Sequence, residues 1–195
     1  MPSLTARTES PASPRRGRLQ LLALVALVLG PMLLAGAMYQ WRFWVPEGRS
    51  YHGTLIGTGQ SRAELGVLPA EAGEARWELL VTAPAECAED CRQLVYLARQ
   101  IHIGLGREAD RGAHALAVGQ PLGAGETTRL AREYPQLGHY RLERAAYEQA
   151  APGLSGAQLW IVDPLGNLVL RYDAGADGKG VLEDLRLLLK LSKIG

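Results

Sequence analysis

Hydrophobic positions in this chain fall into one unbroken block followed by a series of short, patterned runs. The block, LLALVALVLGPMLLAGAMY from Leu21 to Tyr39, holds no charged side chain, and the uncharged stretch reaches from Leu19 to Trp41. Roughly 20 residues at about 1.5 Å each cross a hydrocarbon core of about 30 Å, so residues 19–41 are predicted as a transmembrane helix, which Pro31 would kink without breaking. The Ser-, Pro- and Arg-rich residues 1–18 before it read as a disordered stub. The Gly-rich residues 45–75 after it read as a linker or peripheral hairpin, with one strand-like piece at Tyr51 to Ile56.

From residue 76 to residue 195 the pattern is that of one folded domain. Trp77 to Thr82 is an apolar run ended by Pro84, which predicts a buried strand. Cys91, Leu94, Val95, Leu97, Ala98 and Ile101 recur at helical spacing between Ala88 and Gly104. A strand from His114 to Val118, a short helix around Glu126 to Tyr134, a piece of undefined type at His139 to Leu142 and a short helix at Ala145 to Ala150 follow. Strands at Gln158 to Val162 and Leu168 to Tyr172 flank Asp163-Pro164-Leu165-Gly166-Asn167, a hairpin signal, and Val181 to Leu191 closes the chain as an amphipathic helix. Alternating strand and helix predicts parallel pairing through right-handed crossovers, and the terminal hairpin adds antiparallel strands. The expected fold is therefore α/β and thioredoxin-like, a central mixed sheet flanked by helices, behind one N-terminal transmembrane helix.

Charge narrows the function classes. Lys and Arg number 21 against 20 Asp and Glu, so no basic face recommends a nucleic-acid partner. The glycines at 57, 59, 119, 123 and 125 form no phosphate-binding loop at a strand-to-helix turn, which argues against a nucleotide. The few charges before the block matter more. Arg7, Arg15, Arg16 and Arg18 precede it with Glu9 as the one acid, so the positive-inside rule places the N-terminus in the cytoplasm and exports residues 45–195. Tyr39, Trp41, Phe43 and Trp44 resemble an interfacial aromatic belt. The Ala35-Gly36-Ala37 sequence also allows a cleavable signal peptide, and that reading exports the same domain.

The two cysteines, Cys87 and Cys91, sit where the first strand hands over to the first helix. Were both inside the helix, they would share a face with Cβ atoms about 5–6 Å apart, close to disulfide range. A structural disulfide is one reading, natural in an exported protein. Its ring of about five residues would stabilise by only about 2 kcal/mol, which makes economy of structure a weak reason for this spacing. The other reading is a redox or metal pair, because helix N-terminal amides favour thiolates and two thiolates suit a soft ion such as Cu(I). Zinc has no second ligand pair at suitable spacing. Glu86, Glu89 and Asp90 oppose thiolate formation, although acids are also routine at a helix start.

Two stretches, WELLVTAPAECAEDC and AQLWIVDPLGNLVLRY, resemble the Sco/SenC family of membrane-anchored, thioredoxin-like copper-binding factors of cytochrome c oxidase assembly. The resemblance covers about residues 76–192, with Cys87 and Cys91 in register with the family's Cys-Pro-x-x-Cys and Ala88 in place of its proline. It implies Cys87 and Cys91 as a catalytic redox pair or possible Cu(I) ligands. It also implies a respiratory oxidase subunit or its assembly factors as partners, and a single-pass inner-membrane location with a periplasmic domain. The family's third copper ligand, a histidine about eight residues before the Asp of the turn, falls on Ser155 here, and Gly119-Gln120-Pro121 stands where the family carries an acid.

Of the four histidines, His139 is the one candidate for a replacement copper ligand; His102 and His114 read as packing or surface residues, and His52 lies in a poorly patterned segment. Two functions stay open at this point. One is assistance to oxidase assembly by thiol–disulfide exchange or transient Cu(I) handling. The other is a non-catalytic accessory module with a structural disulfide.

Overall fold

The computed structural model describes residues 14–41, 51–57, 59–69 and 75–192. The aromatic residues Phe43 and Trp44, the stub from residue 1 to residue 13, and residues 42–50, 58 and 70–74 lie outside the described residues. The chain divides into two compact units, residues 1–48 and 49–195.

The first unit contains helix α1, Pro14–Trp41. Proline is tolerated in the first turn of a helix, where its missing N–H has no intrahelical partner anyway. Residues 14–18, assigned by sequence to the stub, therefore belong to the helix. Pro31 lies inside it, and the 21 residues Gly17–Ala37, with a mean hydropathy of 2.2 over their most apolar window, are long and apolar enough to cross a membrane.

The second unit is a seven-stranded mixed sheet in the order β1-β7-β6-β3-β4-β5-β2 with helices on both faces. Its strands are β1 Thr54–Leu55, β2 Val67–Pro69, β3 Trp77–Ala83, β4 Gly112–Val118, β5 Gly138–Leu142, β6 Gln158–Val162 and β7 Leu168–Asp173. Its helices are α2 Glu89–Gly104, α3 Ala124–Glu133, α4 Arg144–Ala150 and α5 Gly178–Leu191, with a 3₁₀ turn at Gly106–Arg111. β3 is central, parallel to β4 and antiparallel to β6, and every one of its residues is buried. The thioredoxin-like plan read from the sequence is the plan of the fold.

Alternation along the strands divides the core in two. Leu79 and Val81 of β3, Leu116 of β4 and Leu159 and Ile161 of β6 face α2 and α5. Leu80, Ala115, Ala117, Trp160 and Val162 face Tyr147 of α4 together with Leu65 and Val67. Thr82 is paired on this second face: its Oγ1 accepts from Trp160 Nε1 at 2.9 Å and lies 3.3 Å from the Tyr147 hydroxyl.

Of residues 45–75, the described parts, 51–57 and 59–69, behave differently from a linker or hairpin. β1 pairs with β7 and β2 pairs with β5, so this segment supplies both edges of the sheet rather than two strands that pair with each other. β2 is too short to leave a period-2 signature. The β6–β7 turn is built as its sequence suggests. Asp163 accepts from the Leu165 and Asn167 amides at 2.9 and 2.8 Å, and Gly166 takes the left-handed φ of 90° that the turn needs.

Candidate functional site

β3 ends at Ala83, and the four residues Pro84 to Cys87 carry the chain to the start of α2. Cys87 lies outside the helix: Ala88 is its N-cap, with extended backbone at φ −76° and ψ −165°. Only Cys91 is helical, so the two cysteines are not the same-face helical pair that their spacing would give inside a helix. The turn into the helix brings their Cα atoms to 5.1 Å, and they form a disulfide.

Several contacts hold this turn. The Gly119 amide donates to the Ala83 carbonyl at 2.9 Å, fastening the loop after β4 to the loop before the cysteines. A Cβ at Gly119 would run into the Pro84 carbonyl oxygen, so glycine is what allows the close approach. Arg92 Nη1 donates to the Cys87 carbonyl at 3.4 Å and Nη2 to Glu89 at 3.1 Å. Hydrogen bonds from Arg92 and Gln93, followed by the Arg92 charge, hold the Glu89 carboxyl below its ordinary pKa. A guanidinium is thus fixed beside Cys87 at the positive end of α2.

The two sulfurs are not equivalent. Cys91 is 1% exposed, whereas Cys87 is 6% exposed and lines a cleft of about 350 Å³. Glu86, Arg92, Gln120, Pro121, Leu122 and Glu126 are its other main walls. Glu126 is tied to Arg129 at 2.7 Å. On the other side of the same loop, Pro84 and Ala85 border a second cleft of about 390 Å³ with Arg144, Glu148, Leu154 and Ser155. Reading the sequence singled out the cysteines but missed Arg92 and Glu126. The one available signal was Gly119-Gln120-Pro121, a break directly after a buried strand.

The donor set for copper does not assemble. Ser155 reaches the neighbourhood of the cysteine loop but offers a hydroxyl instead of an imidazole. His139 is exposed on β5, in register with Leu116, two strands from β3. Among the described residues no group of three or more His, Cys, Asp or Glu side chains is placed to hold a metal ion. A resident two-thiolate, one-imidazole centre therefore does not fit the residues present.

The remaining histidines lie elsewhere. His102 on α2 and His114 on β4 face each other with ring centroids 5.0 Å apart, and His52 is bound to Asp184 of α5.

A family model described as the transmembrane-like, thioredoxin-like C-terminal domain matches residues 77–192, and one described as the transmembrane-like N-terminal domain matches residues 11–42. No curated protein matches the chain. Similar solved structures include the copper-bound ScoI of Arabidopsis thaliana, with 11% identity, 61% of this chain and 87% of that one covered, and a TM-score of 0.48. Copper-bound yeast Sco1 has 11% identity, coverages of 61% and 81%, and a TM-score of 0.48. A DsbF homologue from Corynebacterium diphtheriae has 11% identity, coverages of 76% and 96%, and a TM-score of 0.47.

Proposed function

From the chain's membership of the transmembrane-like, thioredoxin-like family, we propose that it is a membrane-anchored thiol–disulfide exchange protein that works through Cys87 and Cys91. The domain would sit on the exported side of an inner membrane, with the arginines before residue 19 on the cytoplasmic side. A respiratory oxidase subunit or one of its assembly factors is the client implied by the resemblance of residues 76–192 to the Sco/SenC family.

One observation carries the exchange chemistry: the less buried cysteine, Cys87, lines a cleft with Arg92 at the start of α2, while Cys91 is 1% exposed. That asymmetry suits an attacking and a resolving thiol. In the reductive direction the Cys87 thiolate attacks a client disulfide, forming a mixed disulfide and releasing one client thiolate. Cys91, losing its proton, then attacks Cys87 and releases the second client thiolate. The client gains two electrons, the pair becomes the Cys87–Cys91 disulfide, and an external dithiol must reduce it before the next cycle. No step passes through copper.

The burial of both sulfurs favours a second reading, an accessory module in which the bond is a staple. A working pair should have a reduction potential well above the roughly −300 mV below which structural disulfides lie. It should also accumulate a mixed disulfide through Cys87 in the Cys91→Ser variant, and the Cys87→Ser, Cys91→Ser double variant should lose about 2 kcal/mol of stability at most. A bond that resists strong reductant, together with a double variant that does not fold, would select the staple.

A further inference from the structure

His102 and His114 are separated by the 3₁₀ turn Gly106–Arg111, which leads the chain from the last turn of α2 back into β4. That crossover sets both rings in a pocket of about 440 Å³ with Arg76, Ala109, Asp110 and Gln136. The pocket lies at the opposite end of α2 from the disulfide, about 16 Å along the helix axis from Cys91.

His114 is out of place as a core residue. It is 3% exposed, and neither ring nitrogen has a hydrogen-bond partner among the described residues. Buried polar groups left in that state cost about 1–3 kcal/mol each, so a persistent one calls for an explanation by ligand or function. Burial, with the His102 ring and the Arg99 guanidinium, pushes the His114 pKa down to about 4.

His102 is prepared in a complementary way. Its Nε2 is 3.0 Å from the Ala109 carbonyl oxygen. A carbonyl can only accept, so Nε2 bears the proton and Nδ1 keeps the lone pair. Histidines that bind metals characteristically donate their outer N–H to such a carbonyl. The ring separation also fits. Two imidazoles on one tetrahedral ion with metal–nitrogen distances of about 2.0–2.1 Å would hold their centroids about 5 Å apart, and here they are 5.0 Å apart.

We propose that His102 and His114 form a two-imidazole site for a first-row transition-metal dication of the Zn²⁺ class. Imidazole nitrogen suits that class, and Asp110 brings a carboxylate to the lining of the same pocket. Because no third His, Cys, Asp or Glu side chain among the described residues is placed to complete the shell, the remaining positions belong to water or to a group entering the pocket. The site thus has two protein ligands, unlike a four-ligand structural zinc centre.

The test is a calorimetric titration of the untagged full-length protein in detergent with Zn²⁺ alone, with the cysteines kept oxidised so that sulfur cannot ligate. One ion per chain is expected. His102→Ala and His114→Ala should each weaken binding at least tenfold, His52→Ala should leave it within twofold, and Zn²⁺ should shift the ring ¹⁵N resonances of His102 and His114. His102 is only half-buried on a helix, so its variant carries the test even if His114→Ala fails to fold. Absence of binding, or binding that His102→Ala leaves within twofold, overturns the proposal.

Discussion

Two regions of this domain bury a polar side chain at almost the same depth and treat it in opposite ways. Asp184 on α5 is 1% exposed, and donors surround it. Oδ2 accepts from the His52 amide at 2.7 Å, the Gly53 amide at 3.2 Å and the Tyr172 hydroxyl at 2.7 Å, and Oδ1 is 2.9 Å from His52 Nδ1. His114 on β4 is 3% exposed, and its ring nitrogens have no hydrogen-bond partner among the described residues. The first region is a finished knot that fastens the start of the second unit to its last helix and last strand. The second has the donor atoms of a site without the groups that would satisfy them. Equal burial therefore separates a structural polar residue from a binding one only when the partners are counted.

Removing the carboxylate should break the comparison most severely. Asp184→Ala strips the acceptor from the buried Tyr172 hydroxyl and from two backbone N–H groups at once, so a loss of about 3 kcal/mol is expected, read as a lower urea midpoint at unchanged slope. Asp184→Asn, which keeps an acceptor oxygen, should lose less. A loss under about 1 kcal/mol for the alanine variant would mean that the knot does not hold the fold together.

An effect of the next size comes from acid. The folded pKa of His114 lies near 4, below the ordinary value of 6.5, so the unfolded chain takes up the proton first. Stability that is fully present above pH 6.5 should therefore fall as the pH drops from 6.5 toward 4, by about 2 kcal/mol after allowance for solvent in the pocket. His114→Leu should lose less over the same interval, and parallel acid profiles for the two proteins would contradict this account of the buried ring.

The contrast also marks what a sequence can display. β3, β4, β6 and β7 were legible because their residues alternate between two cores or run unbroken through them, and α2 and α5 because one face is apolar. β2 was not, since three residues carry no period, and neither was the 3₁₀ turn. The junction holding Cys87 and Cys91 was legible because the chain itself places both residues there. The clefts were not: Glu126 comes to line one cleft with Cys87 because the loop after β4 folds against Pro84 at Gly119. His102 and His114 looked like packing residues because only the α2–β4 crossover brings their rings together, and His52 lay 132 residues from the carboxylate that binds it.

The smallest expected effect sharpens the comparison by its sign. The hydrogen bond from His52 to Asp184 raises the His52 pKa first, the charges of Asp184, Glu183 and Asp177 add to it, and desolvation opposes them. For a histidine whose folded pKa is raised, the stabilisation is complete below the unfolded value of 6.5 and is lost as the pH rises through the folded value. That is opposite to His114, whose cost appears on acidification. The side chain of His52 is 55% exposed, so salt should screen the charged part of its interaction while leaving the neutral hydrogen bond. Thermal melts of the parent and of His52→Gln should therefore differ most below pH 6.5, converge as the pH rises above it, and converge at lower pH as well when salt is added. A gap that stays constant with pH would show that protonated His52 contributes nothing to the knot, and would leave the neutral hydrogen bonds of Asp184 to hold the segment in place.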